Sequence, residues 1–319
     1  MTGRTAVLVY DSIYDRIIRR LEEHFDLVPV KPGVSPQISP EDAARVRGAA
    51  VYGKFGADWI DLLPNLEIVA NFGVGYDGVD YDAAAKRGIV VTNTPDVLND
   101  EVADSAVALL LNTIHEIPRA ERWLRSGNWE KVGPNPLSPM SLKGRTVGLY
   151  GLGRIGLEIA RRLEPFKVKI AYHTRSQREG LDYAYYPTLL DLAKAVDTLI
   201  CIVPGTPETR KAINADVLSA LGSDGVFINV GRGTSVDDDA LIAALRSKTI
   251  SAAGLDVFSH EPKVPEGLLA LDNAVLWPHI ASATVPTRNA MGDLVADNII
   301  RWFAEGKALT PVPETPASV

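Results

Sequence analysis

The stretch Thr146-Val147-Gly148-Leu149-Tyr150-Gly151-Leu152-Gly153-Arg154-Ile155-Gly156 is a short apolar run ending in G-x-G-x-x-G, and a helical pattern follows it at Leu157, Ile159, Ala160 and Leu163. A strand that feeds a glycine turn and opens a helix aims backbone N–H groups and the positive helix end at a pyrophosphate. Gly151 then makes the turn, Gly153 lets the phosphates approach, and Gly156 lets helix and strand pack closely. Arg154 and Ile155 open the helix and complete the expected cofactor loop. The motif begins near residue 150 of 319, so a second unit must fill the first half of the chain.

The same chain carries a second copy of the pattern. Gly73-Val74-Gly75-Tyr76-Asp77-Gly78 also follows an apolar run, Leu66-Glu67-Ile68-Val69-Ala70-Asn71. Two features count against it as the nucleotide loop. The helix after it, roughly 80–87, is short, and Asp77, Asp80 and Asp82 would set negative charge beside a pyrophosphate. The copy at 151 carries Arg154 and no acid until Glu158. The 73–78 loop therefore needs another task.

A length of 319 residues suits two domains, each with its own core. With 46% hydrophobic and 23% charged residues, the composition is that of an ordinary globular protein. The net charge of −7 comes with no basic run to offset it, which argues against a nucleic-acid partner. The longest apolar stretches are strand-sized, so no membrane association is expected. Met1-Thr2-Gly3-Arg4-Thr5 runs straight into a strand pattern and lacks the apolar core of a signal peptide. The single Cys201 lies inside Thr198-Leu199-Ile200-Cys201-Ile202-Val203 and reads as a buried structural thiol. A reducing cytoplasm is the expected compartment.

Strand-like runs alternate with helical ones almost throughout, as parallel α/β sheets require. In the first part, strands are expected near 6–10, 49–52, 67–71 and 89–92. A long helical segment then starts at about Glu101, where Val107, Leu110, Leu111 and Ile114 recur at helical spacing. Pro118 kinks or divides it. Pro134, Pro136 and Pro139 mark 131–142 as an irregular connection. Further strands are expected at 147–150, 168–172, 199–203, 225–230, 252–255 and 274–276, a complete doubly wound set. After Pro286 a last helix carries Met291, Leu294, Val295, Ile299, Trp302 and Phe303 on one face. The expected plan is discontinuous, with residues 1–99 and 286–319 forming one domain and 100–285 a dinucleotide-binding domain inserted in it. The tail 309–319 has three prolines and little to bury, and reads as a loose arm.

Three segments of the second unit each follow an apolar run. They are Ile228-Asn229-Val230-Gly231-Arg232-Gly233-Thr234, then Gly254-Leu255-Asp256-Val257-Phe258-Ser259-His260-Glu261-Pro262, then Trp277-Pro278-His279-Ile280-Ala281-Ser282-Ala283-Thr284. Each is therefore placed at the carboxyl edge of a sheet, where doubly wound folds bind ligands. Together with the 151 loop, these segments resemble the D-isomer-specific 2-hydroxyacid dehydrogenases over nearly the whole chain, most of all the glyoxylate/hydroxypyruvate reductases. The resemblance implies an α/β fold of two doubly wound parallel sheets, a Rossmann dinucleotide domain inserted in a flavodoxin-like substrate domain. It also implies a homodimer.

The chemistry of reducing a 2-keto acid gives each residue a reason. A cation must hold the carboxylate and polarise the carbonyl, and Arg232 suits this because a guanidinium is always charged and can bond two oxygens. An acid must protonate the carbonyl oxygen, and a histidine such as His279 can donate near neutrality. Glu261 would bond the far imidazole nitrogen and favour the protonated ring. The family pattern matches these three catalytic positions one for one. By the same resemblance Asp256 binds the nicotinamide carboxamide, with a turn-forming role as its competitor, and the N–H groups of Val74 and Gly75 hold the substrate carboxylate. Tyr52, Phe55 and Trp129 are candidates for shaping the side-chain pocket, although core aromatics look the same in sequence. No metal is expected.

NAD-binding units usually end their second strand with an acid that bonds the ribose 2′-hydroxyl. Here the strand ends Tyr172-His173-Thr174-Arg175-Ser176-Gln177-Arg178, and no Asp or Glu follows until Glu179. His173 stands in the acid's place, and Arg175 with the hydroxyls of Thr174 and Ser176 suits a 2′-phosphate. The expected cofactor is NADPH, with NADH weaker, and the expected substrate a small 2-keto acid such as glyoxylate or hydroxypyruvate, reduced to the D-2-hydroxy acid. Two rivals stay open: the same chemistry on a bulkier keto acid such as hydroxyphenylpyruvate, and a corepressor-like nucleotide-sensing protein.

Overall fold

A computed structural model of the chain describes residues 3–33 and 36–317. Among these residues the strands form two sheets. The first contains β1 (Ala6–Tyr10), β2 (Asp26–Val30), β3 (Val46–Val51), β4 (Ile68–Asn71) and β5 (Val90–Thr92), in the spatial order β2-β1-β3-β4-β5. The second contains β6 (Thr146–Tyr150), β7 (Lys169–His173), β8 (Ala184–Tyr185), β9 (Thr198–Cys201), β10 (Val226–Asn229), β11 (Ala252–Leu255) and β12 (Ala274–Leu276), in the order β12-β11-β10-β9-β6-β7-β8. Every pairing is parallel. A parallel sheet is covered on both faces, which explains the unbroken apolar runs and the complete burial of β1, β4, β9 and β10. The first order is that of the flavodoxin-like folds. The second is the dinucleotide-binding order 3-2-1-4-5-6 with one further strand. The α/β reading of the sequence, with two doubly wound sheets, holds.

The chain divides into two compact units. One comprises residues up to Leu98 together with those from Ala283 onward, and the other is Asn99–Ser282. In the first unit, the helix Val285–Glu305 starts with a proline in its first turn and ends at Gly306 in the left-handed region, φ 70°. Its Val295, Ala296 and Ile299 join Val7, Leu8, Ile17 and Val69 in one core. Two arginines of the helix Asp15–Glu22 tie it down further. Arg16 bonds both oxygens of Asp293 at 2.7 and 2.9 Å, and Arg20 bonds Asp297 at 2.6 Å. In the second unit, the helix Asn99–Ile114 packs on β10 and β11. It stops before Glu116, which takes φ 51°, and a new helix, Ile117–Arg125, begins with Pro118 in its first turn. The proline divides the helical segment rather than kinking it.

Four features depart from the sequence reading. Strand β2 was not foreseen, because Pro29 lies inside it. A proline is tolerated there because β2 is an edge strand and one side of it needs no donor. Strand β8 is only two residues long and gives no periodic signal. Phe55 is fully buried and stacks on Trp59 at 5.8 Å, so it belongs to the core rather than to a pocket wall. From 309 to 317 the tail is not a loose arm, and 318–319 lie outside the described residues. Val312 donates to the Val91 carbonyl at 2.9 Å, Val91 donates to Thr315 Oγ1 at 3.0 Å, and Thr310 Oγ1 donates to the Asn93 carbonyl at 2.6 Å. Val312 is buried. The tail thus covers the outer edge of β5, which would otherwise leave unpaired backbone groups. Among the described residues no helix is long and apolar enough to cross a membrane.

Candidate active site

The residues expected to carry chemistry in the second unit lie at the carboxyl ends of three adjacent strands, β10, β11 and β12. Strand β10 ends at Asn229, whose buried side chain organises the turn beyond it. Asn229 Oδ1 accepts from the Gly231 N–H at 3.0 Å, and its Nδ2 donates to the Arg232 carbonyl at 3.0 Å. Ser235 Oγ donates to the same carbonyl at 2.6 Å. The half-buried Arg232 donates from its guanidinium to the Gly231 carbonyl at 2.8 Å. The flanking glycines are steric necessities. A Cβ at Gly233 would stand 1.9 Å from the Phe258 carbonyl carbon, and one at Gly231 would stand 2.8 Å from the Val203 carbonyl oxygen.

The loop after β11 meets the loop after β12 through two acids. Glu261 Oε2 lies 2.7 Å from His279 Nδ1, while its Oε1 accepts the Phe258 N–H at 2.9 Å. Burial alone would raise the Glu261 pKa. The hydrogen bonds from His279 and Phe258 and the charge of Arg232 outweigh it and hold the carboxyl below its ordinary value. Glu261 is therefore ionised at neutral pH, and an ionised carboxylate accepts from an Nδ1–H. Asp256 is almost fully buried and does structural work with every oxygen it has. Its carbonyl accepts the His279 N–H at 2.9 Å, and its carboxylate accepts the N–H groups of Ile280 and Ala281 at 2.7 and 2.9 Å. These bonds hold the segment in which His279 adopts φ 55°, a strained region for a histidine. Burial pushes the Asp256 pKa up despite the two backbone donors.

The backbone of the 151 loop leaves room where a pyrophosphate cradle would need it. Gly151 has φ 100°, and a Cβ there would stand 2.8 Å from the Ile202 carbonyl oxygen. A Cβ at Gly156 would stand 2.5 Å from the Gly151 carbonyl oxygen. At Gly153 a Cβ would meet no atom within 4 Å, so the space beside it is open. Gly153 caps the ten-residue helix Arg154–Leu163, whose first turn holds no acid. Both exposed Arg154 and half-buried Ile155 lie in that turn. The loop sits where strand order reverses between β6 and β9, the switch point of the sheet.

At the end of β7 the His173 ring stacks on Tyr150 at 5.6 Å and its Nδ1 donates to the Tyr186 carbonyl at 2.9 Å. The His173 carbonyl accepts the Gly151 N–H at 3.0 Å, which links the two loops. Thr174 Oγ1 donates to the Ser176 carbonyl at 2.7 Å and shapes the turn. Arg175 and Ser176 are exposed. Glu208, whose pKa is lowered first by its bond to Thr206, is lowered further by the Arg175 charge.

In the first unit, the 73–78 loop follows β4 directly. A Cβ at Gly78 would stand 2.0 Å from the Gly53 carbonyl oxygen, so that glycine serves chain packing rather than phosphate access. The sequence reading missed the asparagines that shape these loops. Their signal is a polar residue ending an apolar strand, as in Ile68-Val69-Ala70-Asn71 and Phe227-Ile228-Asn229.

Comparison with known proteins agrees with this geometry. The family profile described as D-isomer specific 2-hydroxyacid dehydrogenase, NAD binding domain, matches residues 107–281. Glyoxylate/hydroxypyruvate reductase A of Arabidopsis thaliana is 46% identical over 84% of this chain and 85% of its own. Hydroxyphenylpyruvate reductase of Plectranthus scutellarioides is 45% identical over 85% and 86%. The crystal structure of an NADPH-dependent glyoxylate/hydroxypyruvate reductase from Sinorhizobium meliloti, in complex with NADP and malonate, superposes with a TM-score of 0.97 at 60% identity over 99% of both chains. With the profile spanning more than half of its length and relatives this similar over most of it, the chain belongs to the D-isomer-specific 2-hydroxyacid dehydrogenase family.

Proposed function

We propose that this protein reduces a small 2-keto acid, glyoxylate or hydroxypyruvate, with NADPH, giving the D-2-hydroxy acid where the new carbon is chiral. The observation that carries the reading is the 2.7 Å contact between His279 and Glu261, one strand away from the Arg232 turn. The 60% identity to the Sinorhizobium meliloti reductase supports the substrate class and the cofactor. When bound, NADPH supplies the hydride for the carbonyl carbon. Gly151, Gly153, Arg154, Ile155 and Gly156 would hold its pyrophosphate, and His173, Thr174, Arg175 and Ser176 its adenosine ribose and 2′-phosphate. A carboxylate oxygen accepts more than one hydrogen bond, so Asp256 can take the carboxamide while keeping its backbone donors.

Arg232 neutralises the substrate and draws electron density toward the carbonyl oxygen. The N–H groups of Val74 and Gly75 take the carboxylate. His279, bonded to Glu261 through Nδ1, gives the proton on Nε2 to the carbonyl oxygen. The ionised Glu261 fixes the ring through its 2.7 Å contact with Nδ1. Because its pKa lies below the unfolded value of about 4.3, this contact is fully present at neutral pH and is lost only as pH falls through that depressed value.

Glu261→Gln should lower kcat/KM for reduction, since a neutral amide makes a weaker bond to Nδ1 than a carboxylate and holds the ring less firmly. Wild-type activity should also fall as pH drops through the depressed Glu261 value, where the carboxyl takes up a proton and no longer accepts from Nδ1–H. Profiles of kcat/KM across acid and neutral pH decide this, and a variant with wild-type kcat/KM contradicts the pairing. The wider test is kcat/KM for glyoxylate, hydroxypyruvate and phenylpyruvate with each cofactor. A preference for phenylpyruvate would transfer the assignment to bulkier keto acids. Weak turnover of all three beside tight NADPH binding would favour a sensing role.

A homodimer and a cytoplasmic setting belong to the same proposal. Ile117, Leu124, Trp129, Val132 and Leu137 are exposed within twenty-one residues, Trp129 at 64% and Leu137 at 92%, a concentration of apolar surface that suits a second copy. The one cysteine is buried and free. Sedimentation velocity should give twice the chain mass, and Leu124→Glu with Leu137→Glu should give the monomer. A wild-type monomer at micromolar concentration would sink the dimer.

A further inference from the structure

We propose that Asn71 and Asn93 are positioning residues that hold the 73–78 loop with its N–H groups turned toward the substrate carboxylate; this rests on the role given above to Val74 and Gly75. The buried Asn71 ends β4, and its Nδ2 donates to the carbonyls of Gly73 at 3.2 Å and Gly75 at 3.0 Å. Asn93 follows β5, and its Nδ2 donates to the Val74 carbonyl at 2.8 Å. The Thr94 N–H donates to the Gly73 carbonyl at 3.0 Å. Three consecutive carbonyls are thus drawn onto the ends of two neighbouring strands.

The planarity of the peptide bond converts this into a direction. In a trans peptide the C=O of one residue and the N–H of the next point opposite ways. Holding the Gly73 and Val74 carbonyls against β4 and β5 turns the N–H groups of Val74 and Gly75 away from those strands. Among the described residues no oxygen accepts from either N–H. Within the loop, Tyr76 Oη donates to the carboxylate of Glu314 in the tail at 3.1 Å. Burial, with Glu314 beside it, pushes that phenol up to about 12, so Tyr76 keeps the proton it donates. Asn229 plays the matching part at the end of β10, where one side-chain amide sets the turn that carries Arg232. The chain uses the same device in both units: a strand-ending amide fixes the glycine turn beyond it.

Asn93 is the residue to change, because it is only half-buried and its backbone contacts to Thr310 do not depend on its side chain. Asn93→Leu keeps the size, removes the donor and adds no charge. Steady-state kinetics with glyoxylate and with methyl glyoxylate, in which a neutral ester replaces the carboxylate, read the effect. The expected result is a KM for glyoxylate raised about 3- to 10-fold, the worth of one hydrogen bond. The KM values for the ester and for NADPH should stay at wild-type level, and kcat within about twofold. Equal losses with acid and ester, or no loss with either, overturn the proposal. Val74→Pro, which removes one of the two N–H groups, separates the levels. If it raises the KM for glyoxylate and Asn93→Leu does not, the carboxylate loop stands and the asparagine's role falls. If neither variant changes that KM, the loop assignment itself falls.

Discussion

Arg232→Ala should lower kcat/KM for glyoxylate by about 2–5 kcal/mol of transition-state binding, roughly 30-fold to several thousand-fold. Both kcat and KM should suffer, because the guanidinium binds the ground-state keto acid and also stabilises the charge that grows on its oxygen. The turn around it should survive the change. Its backbone carbonyl is held by Asn229 and Ser235, and neither contact involves the Arg232 side chain. NADPH binding, measured by fluorescence titration, should therefore hardly move. Arg232→Lys should recover little, since a point charge cannot bond two substrate oxygens in the plane of a fork. A variant with near-normal kcat/KM would remove Arg232 from the site.

The wild-type protein should prefer NADPH to NADH by about one to three powers of ten in kcat/KM, at about 1.4 kcal/mol per decade for one or two charge-assisted contacts. The loop after β7 offers no carboxylate to a ribose 2′-hydroxyl up to Glu179, and Arg175 is exposed there. A 2′-phosphate gains a bond to that guanidinium, whereas NADH leaves it in water. Glu208 is the charged neighbour that a 2′-phosphate must outcompete. Raising the salt should narrow the preference, because exposed charges are screened within about 10 Å at 0.1 M. Arg175→Ala should narrow it too, and adding His173→Asp should weaken NADPH further and favour NADH. Equal use of both cofactors by the wild-type protein, or an unchanged ratio in Arg175→Ala, would defeat the assignment.

Much of this was legible in the sequence because the relevant signals are local. The buried strands of both sheets read as apolar runs, and the 151 loop was separable from its copy at 73 by the acids that follow each. What escaped the sequence depends on partners distant along the chain. Pro29 hid β2, because only the sheet order makes it an edge where a missing N–H is harmless. The prolines of the tail hid its attachment, because Val312 and Thr315 between them find their partner in Val91, over two hundred residues away. Phe55 and a pocket-lining aromatic are the same letter until the stacking against Trp59 is seen. Asn71, Asn93 and Asn229 went unnoticed because an asparagine after a strand reads as an ordinary turn residue. What sets them apart is which carbonyls they hold.

The interrupted layout of the first unit also dictates an order of events on the ribosome. Its opening 98 residues leave the exit tunnel first, yet their core needs Val295, Ala296, Ile299 and Val312, and the far side of β4 and β5 needs Trp302. Those side chains are synthesised only after the whole second unit. The second unit is one continuous stretch, Asn99–Ser282, and has all of its own strands in hand as soon as Leu276 emerges. Domains tend to fold as their residues appear. In this chain the half translated first is the half completed last, and until then its apolar sheet is surface for chaperones to cover.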